Sequence, residues 1–403
     1  MSEQLTTKVL RTVPEVEAIR SVWEGWQCHP NSDLDFYLAV LRSLPGVLRP
    51  HIIMVFRDGH ADAMLVGRRE DTRLDFKIGY ASFFKPRARA LTFIYGGLLG
   101  NACPDSCRTL MHEVMKSLRG GEADVAFFNH LRVESPLYAS LAGLTGFLTR
   151  DHFPTVQTHW SLNLPNSPEE FWAQLSTKTR NTQRRRAKRL LEDHSGDVST
   201  ICFQDSSELD RMIRDVERVA QKTYQRGLGV GFSDSRDVRE RLYLKLRKGW
   251  LRTYVLYVAD KPRAFWSGTL YKGEFHGDVV GYDPEYSKYS PGMYLMIRAI
   301  EGFCNRNGDE KVSVVDFGLG DAQYKEELCN SRWRDATVYL FAPTLRGLAL
   351  NAVRTPIILL DRIGKKVLER AKLLQRVKKV WRTRGVPQHE REARLEGEAP
   401  STK

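Results

Sequence analysis

The sequence lacks the long apolar runs and paired cysteines typical of membrane-spanning or disulfide-stabilised proteins. No uninterrupted apolar run approaches the roughly 20 residues that a membrane-spanning helix requires. The N-terminus has no basic stretch followed by an apolar core, so we expect no secretory signal. Of six cysteines only Cys103 and Cys107 are close together, and no matching His or Cys pair follows to complete a zinc site. We therefore expect a cytoplasmic protein with reduced, structural cysteines and no bound metal.

The length and composition are those of a globular protein with two domains. A chain of 403 residues is too long for one typical core. Its 42% hydrophobic and 10% aromatic residues exclude the disordered and fibrous classes. The formal net charge of +13 indicates an anionic partner: a nucleic acid, a phosphate-bearing cofactor or a membrane surface. Much of the excess lies in two clusters, since residues 178–189 hold seven basic and no acidic side chains, and residues 362–384 hold ten basic side chains against one acid.

An order of strand, helix, strand, helix, strand occurs twice, about 185 residues apart. In the second half the predicted elements are Phe275–Tyr282, Pro291–Arg306, Val312–Phe317, Gln323–Cys329 and Thr337–Phe341. In the first half they are Leu91–Leu99, Cys107–Leu118, Ala123–Phe128, Leu137–Leu144 and Gln157–Leu162. A candidate hairpin precedes each block, with turns at residues 58–59 and 260–262. This alternation predicts a mixed sheet with partly parallel pairing.

Turn-rich segments divide the chain. A joint at residues 164–168 and another after Pro343 predict a first domain over 1–165 and a second over 166–342. Residues 343–384 predict basic amphipathic helices, broken at Thr355-Pro356, and residues 385–403 predict a disordered tail. Basic amphipathic helices often lie on anionic membranes, so 345–384 is a candidate for peripheral membrane contact. Packing against the body of the protein is the alternative.

A helix start at residues 288–293 has the composition of an anion site. Ser290 is suited to cap the helix, and Pro291 fits its first turn. Gly292 and Met293 would present backbone N–H groups to a phosphate, and Lys288 would add a positive charge beside them. An ordinary capped helix after a loop is the alternative.

A second polar segment follows the next predicted strand. Asp316, Asp321, Tyr324 and Lys325 surround a Gly-rich strand end, and ligands bind at the carboxyl ends of parallel strands. We expect Asp321 to cap the following helix and orient Tyr324, and Lys325 to bind an acceptor phosphate or carboxylate or to pair with Asp316. A solvated turn is the alternative.

These two segments together resemble a known family. Gly-Tyr-Asp-x-x-Tyr and Tyr-Ser-Pro-Gly over residues 281–292, with Asp-Phe-Gly-x-Gly-Asp-x-x-Tyr-Lys over 316–325, are similar to the CelD-type, or BioF2-like, acetyltransferases of the GNAT superfamily. That family is often associated with bacterial polysaccharide production. The segment 178–185 is similar to the family's basic helix, so the resemblance covers about 170 to 342. The two-half layout also resembles the Fem-type peptidoglycan aminoacyltransferases, which are tandem GNAT folds.

The resemblance implies an α/β fold of two tandem GNAT-like mixed-sheet domains plus a basic C-terminal helical tail. It implies transfer of an acyl group from acyl-CoA (acetyl-CoA), with the pyrophosphate at residues 290–293. Since no Gly-x-Ser-x-Gly or other nucleophile motif appears, we expect direct transfer through a ternary complex. The acceptor would be an amine or hydroxyl of an anionic glycan or lipid-linked precursor. An aminoacyl-tRNA donor in the Fem manner and a non-catalytic binding protein on the same fold remain alternatives. The first half has no basic residue at its equivalent turn, residues 99–104, so we expect no donor there.

The candidate site residues take three roles. Tyr324 would protonate the leaving thiolate, and His276, which period-two geometry puts on one side of its strand with Asp278, would deprotonate the acceptor. A purely structural role is the alternative for both side chains. The basic helix, with Arg180 and Arg184, would bind an anionic substrate or the CoA phosphates, although a solvated face is the alternative. RNA would favour interleaved aromatic residues, which residues 178–190 lack, so we expect no nucleic acid. The complete candidate set is catalytic Tyr324, Asp321, His276 and Asp316; donor-binding Lys288, Ser290, Gly292 and Met293; and acceptor-binding Arg180, Arg184, Asp283 and Lys325.

Overall fold

The computed structural model describes residues 4–79, 81–223, 226, 231–305 and 311–370. The strands are β1 (Leu5–Leu10), β2 (Val47–Arg57), β3 (His60–Arg73), β4 (Phe76–Ile78), β5 (Ala81–Phe84), β6 (Arg87–Gly100), β7 (Val125–Arg132), β8 (Thr155–Asn163), β9 (Val198–Phe203), β10 (Leu251–Val258), β11 (Lys261–Tyr271), β12 (Glu274–Tyr282), β13 (Val314–Leu319) and β14 (Ser331–Phe341). The α-helices are α1 (Val13–Glu17), α2 (Arg20–Trp26), α3 (Leu34–Ser43), α4 (Pro104–Arg119), α5 (Pro136–Leu144), α6 (Pro168–Gln174), α7 (Thr177–Asp193), α8 (Leu209–Ala220), α9 (Arg236–Arg247), α10 (Pro291–Cys304), α11 (Gln323–Leu328) and α12 (Leu345–Arg370).

The chain divides into two compact units. The first comprises Met1–His159 and Trp333–Arg370, and the second comprises Trp160–Arg332. The predicted domains 1–165 and 166–342 have different bounds. Residues 160–165, with the end of β8, lie in the second unit, whereas most of β14, the last strand of the second repeat, and helix α12 belong to the first.

The first unit contains a mixed sheet in the order β1-β2-β3-β6-β7-β14. Its β2–β3 hairpin turns at Asp58 and Gly59, both with positive φ, as a two-residue primed turn requires. Strands β6 and β7 are parallel, with Ala90 opposite Val125. Helix α4 crosses between them and buries a stripe at helical spacing, Leu110, Met111, Val114 and Leu118, against β2 and β3.

The second unit repeats this arrangement in the order β13-β12-β11-β10-β9, with β12 and β13 parallel and the other pairs antiparallel. Its sheet is covered on both faces, because neighbouring residues of β11 point to opposite sides. Trp266 packs with α10, whereas Phe265 packs with α8 and α9. Helix α8 places Met212, Ile213 and Val216 on one buried face.

The predicted order of strand, helix, strand, helix, strand is observed in both halves, as β6-α4-β7-α5-β8 and β12-α10-β13-α11-β14. The mixed α/β fold is therefore confirmed. All six cysteines are free thiols, as expected.

The C-terminal segment differs from the prediction. Helix α12 continues through Pro356, where the sequence predicted a break. The turns around the proline are held by tertiary contacts, since Asn351 donates to the Leu148 and Arg150 carbonyls and Arg354 forms two hydrogen bonds with Asp151. These contacts offset the lost backbone hydrogen bond. Residues 371–403, with the remaining predicted helix and tail, lie outside the described residues. Within the described part of the chain, no helix combines the length and apolarity needed to cross a membrane.

Candidate active site

The parallel strands β12 and β13 of the second unit separate after a short pairing. They pair at three positions, from Glu274 opposite Val314 to His276 opposite Asp316. Beyond these positions β12 continues to Tyr282 and β13 to Leu319, and the described strands form no further ladder with each other. Because backbone N–H and C=O groups need partners, the separating strands can receive an extended ligand between them.

A β-bulge lies on β12 where the strands separate. The register against β11 shifts so that Asp278 is the extra residue, and bulges commonly re-aim side chains beside functional sites. The Asp278 carboxylate accepts hydrogen bonds from Lys245 Nζ (2.7 Å) and Thr269 Oγ1 (2.9 Å). Thr269, the register partner of His276 on β11, contacts the Asp278 carboxylate, so His276 and Asp278 face one side of the strand as expected; His276 is buried there and Asp278 is exposed.

His276 and Asp316 form a buried pair at the base of the separation. His276 Nδ1 lies 3.2 Å from Asp316 Oδ2, and the two residues are 8% and 9% exposed. The other Asp316 oxygen accepts from the Gly318 N–H at 2.6 Å, which fixes the carboxylate. A carboxylate beside one imidazole nitrogen orients the ring, as a general base requires.

The start of α10 has no side-chain cap, contrary to expectation. Ser290 occupies the cap position in the left-handed region (φ 52°, ψ 57°), and its hydroxyl makes no capping bond. The first helical bond runs from the Tyr294 N–H to the Ser290 carbonyl. The N–H groups of Gly292 and Met293 thus precede the helical ladder, where a bound anion can satisfy them. Gly292 is buried, and a Cβ there would only touch Tyr282 and Val280 at ordinary contact distance.

Lys288 makes contacts that the sequence did not predict. Its Nζ lies 3.4 Å from an Asp193 carboxylate oxygen and 4.5 Å from the centre of the Tyr289 ring. The Tyr289 hydroxyl donates to the same Asp193 oxygen at 2.6 Å. Hydrogen bonds to Tyr289 and Asp193 raise the pKa of Lys288. The ammonium is half-exposed but already has an acidic neighbour, so the positive character of the helix start comes mainly from its backbone.

The predicted capping role of Asp321 is wrong. The cap position of α11 belongs to Ala322, in extended conformation (φ −146°, ψ 142°) and without a side-chain cap. Asp321 lies one residue too early, and its exposed carboxylate accepts a hydrogen bond from Trp160 Nε1 at 3.2 Å. Tyr324, in the first turn of α11, is partly buried with its ring edge toward Phe317 (6.2 Å between centroids).

Lys325 is a buried structural side chain, contrary to the expectation of acceptor binding. It is 6% exposed, and its Nζ donates to the carbonyls of Gly318 (3.1 Å) and Leu319 (2.7 Å) at the end of β13. Burial lowers the pKa of the ammonium, whereas Cys329, Asp316 and Asp321 act in the opposite direction. The expected ion pair with Asp316 is not formed, because the ammonium is held by the backbone.

Asp283 is likewise enclosed by the protein. It is 1% exposed, and its Oδ2 accepts from Lys222 Nζ and Arg263 Nη1, each at 2.8 Å. Its Oδ1 accepts from the Glu285 N–H (3.2 Å) and so caps the 3-10 turn Pro284–Tyr289 that leads into α10. Burial raises the pKa of this carboxyl, but the two cations more than offset it, and the pKa is lowered overall. The expectation that Asp283 contacts substrate is therefore wrong.

The basic helix α7 borders a small cavity. Arg184 is exposed and lies over the Trp172 ring (5.3 Å), while Arg180 is partly buried and donates to the Trp172 carbonyl. The cavity, of about 150 Å³, is lined by Trp172, Gln183, Arg184, Ala187, Tyr289, Tyr294, Ile297 and Arg298. Two guanidinium groups beside aromatic rings suit a small ligand that is both anionic and flat-faced.

Three residues around this cavity were not predicted from the sequence: Tyr294, Arg298 and Glu301. Arg298 lies over the Tyr294 ring (5.2 Å), and Glu301 accepts from both Arg298 (2.9 Å) and Trp172 Nε1 (2.7 Å). Tyr294 and Arg298 are four residues apart on one helix, so sequence spacing alone predicts that they share a face. Spacing does not predict that Trp172, from another element, packs beside them.

The matching helix start in the first unit already has a carboxylate beside it. Asp62 accepts hydrogen bonds from Asn101, from Arg57 and from Ser106 in the first turn of α4. The sequence shows no basic residue at this turn, but folding brings Arg57 from β2 within 3.3 Å of Cys103 Sγ. An anion at this helix start would meet the charge of Asp62.

One protein family and several solved structures are similar to this chain. Residues 177–326 match a family described as "Acetyltransferase (GNAT) domain". No curated protein sequence matches the chain. The structure is similar to FemX, with a TM-score of 0.53 at 11% identity, covering 82% of this chain and 96% of FemX. It is also similar to a conserved protein of unknown function from Bacteroides thetaiotaomicron VPI-5482 (TM-score 0.48, 13% identity, 84% and 100% covered). A tandem GNAT protein from the clavulanic acid biosynthesis pathway gives a TM-score of 0.46 at 12% identity (85% and 99% covered).

At 11% identity the similarity to FemX bears on the fold alone, and the family match bears on residues 177–326. Separating parallel strands with an uncapped helix start lie within the matched residues. Residues 177–326 of the second unit, which carry this geometry, are therefore similar to the acetyltransferase (GNAT) domain family.

Proposed function

We propose that this protein transfers an acyl group, acetyl in the simplest case, from acyl-CoA to an amine or hydroxyl of an anionic polysaccharide or cell-envelope precursor. The observation that carries the proposal is the pairing of separating strands β12 and β13 with the uncapped start of α10, inside a domain that matches the GNAT acetyltransferases. The donor's pantetheine arm lies between the strands, and its pyrophosphate accepts from the Gly292 and Met293 N–H groups.

The chemistry is a direct transfer with His276 as the base. The acceptor nitrogen or oxygen attacks the thioester carbonyl, its proton passes to His276, and the carbon–sulfur bond breaks. Asp316 stabilises the imidazolium that results, since it lies 3.2 Å from the ring. The leaving thiolate takes a proton from the Tyr324 hydroxyl. Tyr324 lies in the first turn of α11, which begins just beyond the end of β13. Asp321 and Lys325 take no part: the first is exposed beside Trp160, and the second holds the strand end.

The cavity beside α7 binds the acidic group of the acceptor. Arg184 and Arg298 supply two guanidinium groups for a carboxylate or phosphate, and Trp172 and Tyr294 supply faces for a sugar ring. The unbalanced basic residues of α7 favour the approach of an anionic chain. The donor binds in the second unit only, because Asp62 already lies against the matching helix start of the first.

Calorimetric titration with acetyl-CoA tests the donor site. Gly292→Glu puts a carboxylate beside the pyrophosphate position and should weaken binding by at least about a hundredfold, since like charges brought together cost several kcal/mol. Gly302→Glu is the matched control: it makes the same change on the same helix, at an exposed position with nothing within 4 Å of the added Cβ. Both variants should keep the wild-type circular dichroism. Equal affinity in all three proteins, or no binding by the wild type, would overturn the proposal.

The acceptor pocket has its own test. Arg184→Gln with Arg298→Gln should raise the KM for an acidic glycan acceptor and leave acetyl-CoA affinity unchanged. A matched loss of acetyl-CoA affinity would instead assign the cavity to the nucleotide end of the donor.

A further inference from the structure

Helix α12 of the first unit presents an apolar face with no protein covering it in the described residues. The exposed large side chains on this helix, with their exposed fractions, are Leu345 (92%), Val353 (41%), Leu359 (42%), Leu360 (58%), Ile363 (50%) and Val367 (58%). Most recur at intervals of three, four and seven residues, so they form one stripe. At 1.5 Å per residue the stripe extends about 33 Å along the helix. We call it the α12 apolar face.

The opposite side of α12 packs against the first unit, so the helix that carries the exposed stripe is held in place. Leu350 and Ile357 are each 8% exposed, and the buried pair of Arg354 with Asp151 has a nitrogen–oxygen distance of 2.6 Å. Asn351 adds hydrogen bonds to two carbonyls. One side therefore packs on the protein, while the other has no cover among the residues that the structure describes.

Two neighbouring elements extend the face. Phe147 and Leu148 (67% and 64% exposed) line an apolar groove of about 430 Å³ with α12. The β4–β5 hairpin is joined to α12 by the Gly79 N–H, which donates to Asp361 at 2.6 Å, and it carries exposed Ile78 and Phe84. Of the sixteen large hydrophobic side chains exposed in the described residues, ten lie on these three elements. Such a concentration marks an interaction surface.

Positive charge borders the same face. Lys366 is exposed beside the stripe on the last turns of α12, and Arg150 is exposed beside Phe147. Arg362 is exposed too, although it donates to the Pro154 carbonyl, and Lys365 lies on the far side of the helix. The only acidic side chain on these turns whose surroundings are described, Asp361, is paired with Lys365 at 2.6 Å. The sequence from 362 to 384 holds ten basic side chains against one acid. An apolar stripe with basic flanks is complementary to the surface of an anionic bilayer.

We infer that the α12 apolar face, with Phe147 and Leu148, lies on an anionic lipid surface and holds the protein there. The apolar side chains enter the boundary between headgroups and acyl chains, and the flanking basic groups contact anionic headgroups. A protein partner usually covers an exposed apolar face with an interface core that is itself apolar and depleted of charged residues. The run of basic groups along α12 favours lipid instead.

Vesicle sedimentation with the full chain tests this inference. Wild-type protein should sediment with vesicles of equal parts phosphatidylcholine and phosphatidylglycerol, and much less with phosphatidylcholine alone. Leu360→Ser with Ile363→Ser should weaken the binding by at least about tenfold, because each side chain loses its burial in the interface. Lys366→Glu should weaken the binding by about fivefold or more, because one basic side chain at an anionic surface contributes about that much to the affinity.

The control is Leu48→Ser with Tyr243→Ser, which removes two side chains of similar exposure (60% and 52%) elsewhere on the protein. It should bind vesicles like the wild type, and all variants should keep the wild-type unfolding midpoint because the changed residues are exposed. Wild-type protein that stays in the supernatant, or a Leu360→Ser, Ile363→Ser variant that sediments like the wild type, would refute the inference. Light scattering that shows a dimer broken by the same variant would assign the face to a second copy and equally refute it. None of these results depends on acyl transfer.

Discussion

Replacing Asp283 by Asn should destabilise the second unit rather than weaken substrate binding. The carboxylate is 1% exposed and accepts from Lys222 and Arg263 at 2.8 Å each. Removal of one partner from a buried ion pair costs about 3–5 kcal/mol. Lys222 is about a third exposed, so water can solvate its ammonium in the variant and reduce this cost. We therefore expect the free energy of unfolding to fall by about 3 kcal/mol at neutral pH. Urea unfolding, followed by circular dichroism, measures it.

The pH dependence of this loss has a definite sign. The pKa of Asp283 is lowered in the folded protein, so its stabilisation is fully present above the ordinary carboxyl pKa and disappears as pH falls through the folded-state pKa. The difference between wild type and Asp283→Asn should therefore shrink in acid. Asp260→Asn, the same change at an exposed hairpin turn, should leave stability within about 0.5 kcal/mol. An Asp283→Asn protein that unfolds like the wild type but has a raised acceptor KM would refute this reasoning and restore the substrate role.

Three other substitutions give distinct outcomes. Tyr324→Phe should lower turnover by about 10²–10⁴-fold with acetyl-CoA affinity unchanged, and a fully active variant would remove the tyrosine from the chemistry. Lys325→Met should cost about 2 kcal/mol in urea unfolding, because the carbonyls of Gly318 and Leu319 lose their donor; no loss would mean that water replaces it. Burial lowers the pKa of His51 to about 4, so stability should fall by about 3 kcal/mol as pH drops from neutral toward 4. His51→Leu should remove that part of the pH dependence, and a variant with the wild-type pH profile would exclude His51 as its source.

The local elements were largely predictable because their signals are local. Pro291 marks the first residue of α10, and Asp58-Gly59 marks the hairpin turn, as sequence spacing predicted. Alternation and helical period placed most other elements of the repeat to within four residues, but the predicted strand Thr337–Phe341 begins six residues after β14 does. Pro356 misled the prediction, because contacts from Asn351 and Arg354 to distant residues keep α12 continuous.

The candidate site was predictable in position but not in the role of each side chain. Sequence motifs located the segments 281–292 and 316–325, which the fold brings to adjacent strands. The error at Asp321 is a shift of one residue, since Ala322 occupies the cap. The errors at Asp283 and Lys325 concern burial: Lys222 is 61 residues from Asp283 in sequence, and the Lys325 ammonium folds back on its own strand end. A motif shows that a charged residue is present, but it does not show whether the side chain faces substrate or the protein interior.

Hydrogen–deuterium exchange with and without acetyl-CoA tests most directly that the donor binds where β12 and β13 separate. Donor binding there should slow exchange in residues 277–282 and at the Gly292 and Met293 amides, which would donate to the pyrophosphate. Exchange should not change over residues 100–107, the matching helix start of the first unit, where Asp62 already lies. Protection of 100–107 without 288–296, or no protection in either segment at saturating acetyl-CoA, would contradict this donor site.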